Sequence, residues 1–195
     1  MIRKAYPADK TAVSEILSRA FADNLSVLYI AGNGEDSKQK IKWLMDYAFE
    51  VCYRYGEVLV TEDFKGCALI LYPELKKTDF TSLTLDLSLI WNCVGIMGIG
   101  KVLSREGKIK AMQLPGKSAY LWFIGVDPAF QRNGLGTLLM DKVVEISEAA
   151  GRFVMLETST ERNLPWYIRS GFSVYGTIDL GYLLYFLNRP TELQP

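Results

Sequence analysis

The sequence predicts an α/β fold, a single mixed sheet of about six to seven strands flanked by helices, and three observations support it. Residues 120–126 form a continuous apolar run, the pattern of a central strand buried on both faces. That run enters a glycine-bearing turn and then an amphipathic helix from residue 136, with Leu139, Val143, Ile146 and Ala150 on one side. On either side of this unit, strand-like and helix-like segments follow one another along the chain.

Residues 2–6 read as a short first strand. A helix follows, with Val13, Ile16, Leu17, Ala20 and Phe21 on one face. Residues 23–36 read mostly as loop, interrupted by the apolar piece 27–30. Ser37 is the expected N-cap of a second helix with Ile41, Leu44, Met45, Ala48 and Cys52 inward, and Gly56 its expected C′ stop. Residues 57–61 and 67–72 form a hairpin around Asp63-Phe64-Lys65-Gly66. Residues 81–112 read as two helical pieces interrupted near 95–100, and Pro115-Gly116 closes that segment. After the central unit come a strand at 153–157, a short helix at 163–169 with Pro165 in its first turn, and strands at 172–178 and 183–187. All of this is read as one domain over residues 1–195.

Composition excludes several classes. The chain has 195 residues, zero net charge and no histidine. Charge balance gives no case for nucleic acid, and Ser-His-Asp or Cys-His catalysis is unavailable. The commonest transition-metal ligand is missing, so no metal is expected. Cys52, Cys67 and Cys93 are odd in number and sit in apolar surroundings, reading as reduced core cysteines of a cytoplasmic protein. The N-terminus has no apolar signal region. The least polar stretch, 86–101, falls short of the ~20 residues a membrane helix needs, so no membrane partner is expected.

The chemistry concentrates after the central strand, in Val126-Asp127-Pro128-Ala129-Phe130-Gln131-Arg132-Asn133-Gly134-Leu135-Gly136. The first amides of a helix lack partners and carry partial positive charge, so a strand–turn–helix of this kind can hold a pyrophosphate. Gly134 and Gly136 remove side chains that would keep the backbone from a phosphate. Taken alone the hexamer Gln131-Arg132-Asn133-Gly134-Leu135-Gly136 also fits an ordinary tight turn. A dinucleotide-binding Rossmann enzyme fits poorly, because its Gly-x-Gly-x-x-Gly follows the first strand.

With Leu156-Glu157-Thr158 ending the next strand, and Asn163, Tyr167 and Gly171-Phe172 beyond it, the chain resembles the GNAT superfamily of N-acetyltransferases. The resemblance is clear over residues 120–187 and looser over 2–72. It implies a mostly antiparallel sheet of the acyl-CoA N-acyltransferase fold, whose strands at 120–126 and 153–157 are parallel and splay apart to admit acetyl-CoA. It also implies a helical insertion, at about 76–117 here, between the third and fourth strands.

By the same resemblance Gln131, Arg132, Asn133, Gly134, Leu135, Gly136 and Thr137 line the pyrophosphate arm of coenzyme A. Ile124 and Val126 present strand backbone to the pantetheine arm, and the Val126 N–H polarises the thioester carbonyl. Tyr167 is the general acid; the amine proton goes to a base or a water relay, and Glu157 is the best-placed carboxylate once burial raises its pKa. Asn163 binds the cofactor arm or caps the short helix. Alternatives stay open for three more of these residues: Arg132 as a solvated loop residue, Tyr167 as packing, Glu157 paired with Arg162 or Arg169.

The implied function is transfer of acetyl from acetyl-CoA to a primary amine in a ternary complex, with a catalytically idle acyl-CoA sensor or regulatory module as the alternative. The acceptor is a small-molecule or peptide amine. Trp91, Trp122, Trp166, Tyr29 and Tyr120 are candidates to line its site. The basic run 101–117 can attract an anion or stand as a solvated helix face. Residues 87–100 offer a face for a second copy of the chain, a homodimer.

Overall fold

The computed structural model describes residues 1–76, 93–94 and 98–191. They form seven strands: β1 (Ile2–Lys4), β2 (Gly56–Thr61), β3 (Gly66–Leu71), β4 (Ser118–Val126), β5 (Phe153–Thr158), β6 (Ser173–Asp179) and β7 (Leu183–Arg189). Their order in the sheet is β1-β2-β3-β4-β5-β7-β6. Every neighbouring pair is antiparallel except β4 and β5, which are parallel, as a mixed and mostly antiparallel sheet requires. The described helices are α1 (Lys10–Ala20), α2 (Leu25–Ala31), α3 (Ser37–Tyr55), α4 (Ile99–Met112), α5 (Leu135–Ala149) and α6 (Leu164–Arg169). Among the described residues, no helix is long and apolar enough to cross a membrane.

The sheet is covered on both faces. On one, Val13, Ile16 and Leu17 of α1 and Leu44, Met45, Ala48 and Phe49 of α3 pack on Val58, Val60, Cys67 and Leu69. On the other, Met140 and Val143 of α5 meet Leu59, Ala68, Ile70, Leu121, Val154 and Leu156, with Tyr167 and Phe172 beside them. Each such aliphatic side chain taken from water contributes about 1.5–3 kcal/mol. The three cysteines are free and buried, and burial holds their thiols well above the ordinary value.

Local chemistry corrects three of the expectations. Residues 25–31 are helix, not loop: the Asn24 side chain accepts from the amides of Ser26 (3.0 Å) and Val27 (3.1 Å), and Gly32 at φ 77° ends the segment. A seven-residue helix is too short to show periodicity, so the cap is its only signal. The N-cap of α3 is Asp36, with Ser37 already helical. Gly56 is not a left-handed stop but an extended residue that opens β2. A Cβ there would lie 2.0 Å from the Ile70 carbonyl oxygen, so glycine is demanded by the close approach of β3.

Two irregularities shape the centre of the sheet. Opposite Leu69 and Ile70 the register jumps from Phe123 to Leu121, leaving Trp122 as an extra residue on β4. The insertion between β3 and β4 contains α4, while residues 77–92 and 95–97, with Trp91 and most of the proposed homodimer face, lie outside the described residues.

Gly56→Ala is expected to force β2 and β3 apart and cost about 3 kcal/mol, the upper end of ordinary overpacking. Urea denaturation measures it. An unchanged midpoint would mean that the contact does not constrain the sheet.

Candidate functional site

β4 and β5 pair only at Ser118↔Phe153, Ala119↔Val154 and Tyr120↔Met155. Beyond that point β4 runs on to Val126 and β5 to Thr158 without pairing to each other. The Asp127 amide donates to the Lys65 carbonyl at 2.8 Å, fixing which side of β4 faces β3. Alternation along the strand then turns the amides of Ile124 and Val126 toward the gap. An extended ligand arm could take the place of the missing strand there.

Where β4 ends, the turn is tightly held. Asp127 Oδ1 accepts from the Ala129 amide at 3.0 Å, its Oδ2 binds Arg19 at 2.8 Å, and Gln131 Nε2 donates to the Val126 carbonyl at 3.1 Å. Gly134 precedes α5 in the left-handed region at φ 75°, and Arg132, at φ 65°, lies there too. A side chain in that conformation costs about 1 kcal/mol. Arg132 is exposed and has no ion-pair partner among the described residues. The Asn133 side chain folds back onto the Phe130 carbonyl at 3.4 Å.

Leu138 is the first residue of α5 whose amide finds a backbone acceptor, the Gly134 carbonyl at 3.1 Å. The amides of Leu135, Gly136 and Thr137 therefore point out of the helix end toward solvent. Gly136 is informative because nothing in the fold requires it. A Cβ there would sit 3.8 Å from Trp166 and 3.9 Å from Val126, ordinary contact. Space that the protein leaves but does not need suits a ligand pressed against the backbone, so these residues fit a pyrophosphate. The Thr137 hydroxyl accepts from the Trp166 indole at 3.3 Å, tying α5 to α6.

One cavity occupies the gap, and it reaches both faces of the sheet. On the α5 side it is lined by Ile124, Asn163 and Tyr167. Tyr167 packs against Trp166 and Phe172, with ring centroids 4.7 and 6.0 Å away. Its hydroxyl has no hydrogen-bond partner among the described residues, and burial pushes the phenol above its usual value. Asn163 occupies the N-cap position of α6 but makes no side-chain cap bond, which removes capping as its explanation.

On the α1 side lie Glu157 and Tyr120. The Tyr120 hydroxyl donates to Glu157 Oε1 at 2.5 Å. Burial raises the Glu157 carboxyl from 4.5 to about 7, against the opposing pull of the Tyr120 hydrogen bond and the Arg105 charge. The alternative ion pair, with Arg162 or Arg169, is not formed. Tyr120, buried and beside that carboxylate, is itself held well above 10.

Sequence reasoning missed Arg105. It sits in the run read as basic helix face, yet only 6% of its surface is exposed. Its guanidinium donates to Ser26 Oγ at 2.5 Å, Tyr182 Oη at 3.3 Å and Glu106 Oε1 at 2.5 Å. The only available signal is helical spacing, which places Arg105 one turn from Lys101. The Lys101 ammonium lies 3.9 Å over the Tyr29 ring. Of the proposed aromatic lining, Trp122 borders the cavity and Tyr120 reaches it through Glu157, whereas Tyr29 packs on Tyr182 and Trp166 on Tyr167.

Because the folded chain holds a proton on Glu157 that the unfolded chain has lost above pH 4.5, stability falls as pH rises from 4.5 through about 7 and is flat beyond. Glu157→Gln is expected to raise stability at pH 8 by on the order of 2 kcal/mol and to change little at pH 4.5. Urea melts at the two pH values check this. Equal effects at both would show that the carboxyl titrates normally.

Residues 86–172 match the model of the acetyltransferase (GNAT) family. Solved structures with the same fold include a histone acetyltransferase HPA2 and related acetyltransferase from Corynebacterium glutamicum, 18% identical over 100% of this chain and 97% of that one, with a TM-score of 0.70. An N-acetyltransferase from Staphylococcus aureus is 20% identical over 96% and 99%, with a TM-score of 0.59. Naa20 of Chaetomium thermophilum, in complex with a bisubstrate analogue, is 16% identical over 98% and 87%, with a TM-score of 0.53. At such identities the likeness is one of fold, and the family match covers residues 86–172, less than half of the chain. Over residues 86–172 the chain is similar to the acetyltransferase (GNAT) family, and along its length it shares a fold with solved acetyltransferases.

Proposed function

We propose that the protein is an N-acetyltransferase that passes acetyl from acetyl-CoA to a primary amine directly, with both substrates bound at once. The observation that carries this reading is the two-sided gap between β4 and β5, which has Tyr167 on one face and Glu157 on the other. Acetyl-CoA supplies an acetyl carbon activated as a thioester, so the new N–C bond forms as the C–S bond breaks.

Each residue has a physical task in this scheme. The amides of Leu135, Gly136 and Thr137 hold the pyrophosphate at the α5 N-terminus, with Gln131 and Asn133 shaping the turn and Arg132 adding charge. Ile124 and Val126 bind the pantetheine arm by strand-like hydrogen bonds, and the Val126 N–H donates to the thioester oxygen. Asn163 hydrogen-bonds the same arm. Glu157 takes a proton from the attacking amine, and its raised pKa makes it a base near neutrality. Tyr167 donates toward the departing sulfur. Its elevated pKa keeps the O–H protonated throughout the working range.

The arrangement also favours an enzyme over a sensor. A module that only binds acyl-CoA has no use for a carboxyl poised near pH 7 on the opposite face of the gap. We place the protein in the cytoplasm as one domain, in keeping with its buried free thiols.

A thiol-release assay against an amine library tests the reading. Coenzyme binding without thiol release from any amine would leave only the sensor. Activity should climb with pH as Glu157 loses its proton, giving a limb near pH 7. Glu157→Gln is expected to abolish that limb and lower kcat roughly 10²-fold, and Tyr167→Phe to lower kcat more than it weakens coenzyme binding. A limb surviving in Glu157→Gln would assign the proton elsewhere.

Gly136→Ala separates fold from ligand. It should stabilise the apoprotein by about 0.5–1 kcal/mol, because alanine replaces a helical glycine without a clash. It should weaken coenzyme A binding at least roughly tenfold, read by calorimetric titration. Unimpaired binding would show that the pyrophosphate does not approach residue 136.

A further inference from the structure

Arg105 is a buried cation in the wall of the cavity. A guanidinium taken from water loses several kcal/mol of hydration unless its donors and charge are answered. Of its five N–H groups, three are used, by Ser26, Tyr182 and Glu106. The other two have no acceptor among the described residues, although the residue is 94% buried and lines the cavity.

Its charge is only partly matched. Glu106 is the next residue on the same helix, and its side chain is 55% exposed, so that pair is half in solvent. The other carboxylate in range is Glu157, the proposed base, already engaged by Tyr120. Lys101 adds a second cation one turn away on α4, over Tyr29. The neutral partners are held among themselves: Ser26 Oγ lies 3.2 Å from Tyr182 Oη, and the Tyr29 and Tyr182 rings meet edge to face at 5.6 Å. Arg105 is therefore fixed in place by α2 and by Tyr182, which precedes β7, with unused donors on a concave wall.

We propose that the acceptor is an amine whose own molecule carries an oxyanion, a carboxylate or a phosphate, and that Arg105 binds that group while the amine lies at Glu157. Charged, planar donors in a water-poor cavity suit such a group, since hydrogen bonds between ionised partners are about twice as strong as neutral ones. The proposal rests on the acetyltransferase reading and specifies its acceptor class. Arg105 is here a specificity residue that touches substrate and takes no part in proton transfer.

The test measures thiol release by the full chain with matched amines. One set pairs amino acids with their primary amides, and a second pairs aminoalkyl phosphates with their parent amino alcohols. The oxyanion member of at least one set should have a kcat/KM at least tenfold above its neutral partner, and the two sets tell carboxylate from phosphate. In Arg105→Gln, assayed on the plateau above the Glu157 limb because Arg105 also lowers that pKa, the advantage should vanish through KM, with kcat held to within about twofold and the neutral members unaffected.

Equal or better use of the neutral members by the wild-type chain would overturn the proposal, whether or not Arg105→Gln folds. So would a folded Arg105→Gln variant that weakens both members alike, the mark of a structural role. Turnover of neutral amines without preference for anions sinks the acceptor class and leaves the acetyltransferase reading intact. Absence of thiol release with every amine, despite coenzyme A binding, sinks both.

Discussion

Parallel pairing between β4 and β5 stops after Tyr120 and Met155, and the rest of the site depends on that break. A continuous ladder would consume the amides of Ile124 and Val126, close the gap and cover Glu157. The break is sustained from both sides. β4 is held to β3 as far as Gly66↔Val126, with the Trp122 bulge absorbing its curvature, and β5 is held to β7 as far as Thr158↔Tyr185. Each strand keeps one partner while losing the other, so the opening costs few backbone hydrogen bonds and leaves the sheet whole.

Features that work against stability gather around that opening. Arg132 occupies a left-handed conformation, Gly136 forgoes the helix propensity of alanine, Arg105 is a buried cation, and Glu157 is a carboxyl driven toward neutrality. Elsewhere the buried set is aliphatic and aromatic, apart from a handful of polar groups, some paired, such as Asp9 with Arg3, and one, the Ser14 hydroxyl, without a hydrogen-bond partner among the described residues. Local rules of stability hold through most of the core and are broken repeatedly around the proposed site, as expected where a ligand or a proton is handled.

The two faces of the sheet divide the chemistry. The face carrying α5 and α6 offers helix-end amides, Asn163 and the free hydroxyl of Tyr167, all suited to a phosphorylated thioester carrier. The opposite face, walled by α1, α2 and α4, offers Glu157, Tyr120 and Arg105. In the proposed scheme, an acid for the leaving group and a base for the nucleophile are kept apart by the thickness of the sheet. Nothing needs to turn over or travel between them.

Much of this is legible in the chain itself. The apolar run of β4, the glycine turn and the period of α5 are local patterns, and they locate the proposed phosphate cradle without any tertiary contact. The same holds for the short helix that carries Tyr167, because proline in a first turn and a following Gly171 are local signals. Other features depend on residues distant in sequence. Gly56 reads as a helix stop because its real constraint, the carbonyl of Ile70, comes from another strand. Arg105 reads as solvated because helical spacing records which face a residue is on, not what packs against it; Ser26 and Tyr182 supply that answer from 79 and 77 positions away. Glu157 is recognisable as a carboxylate at a strand end. Its hydrogen bond to Tyr120 and its shifted pKa arise from burial and from a neighbouring strand, and only the folded sheet could decide them.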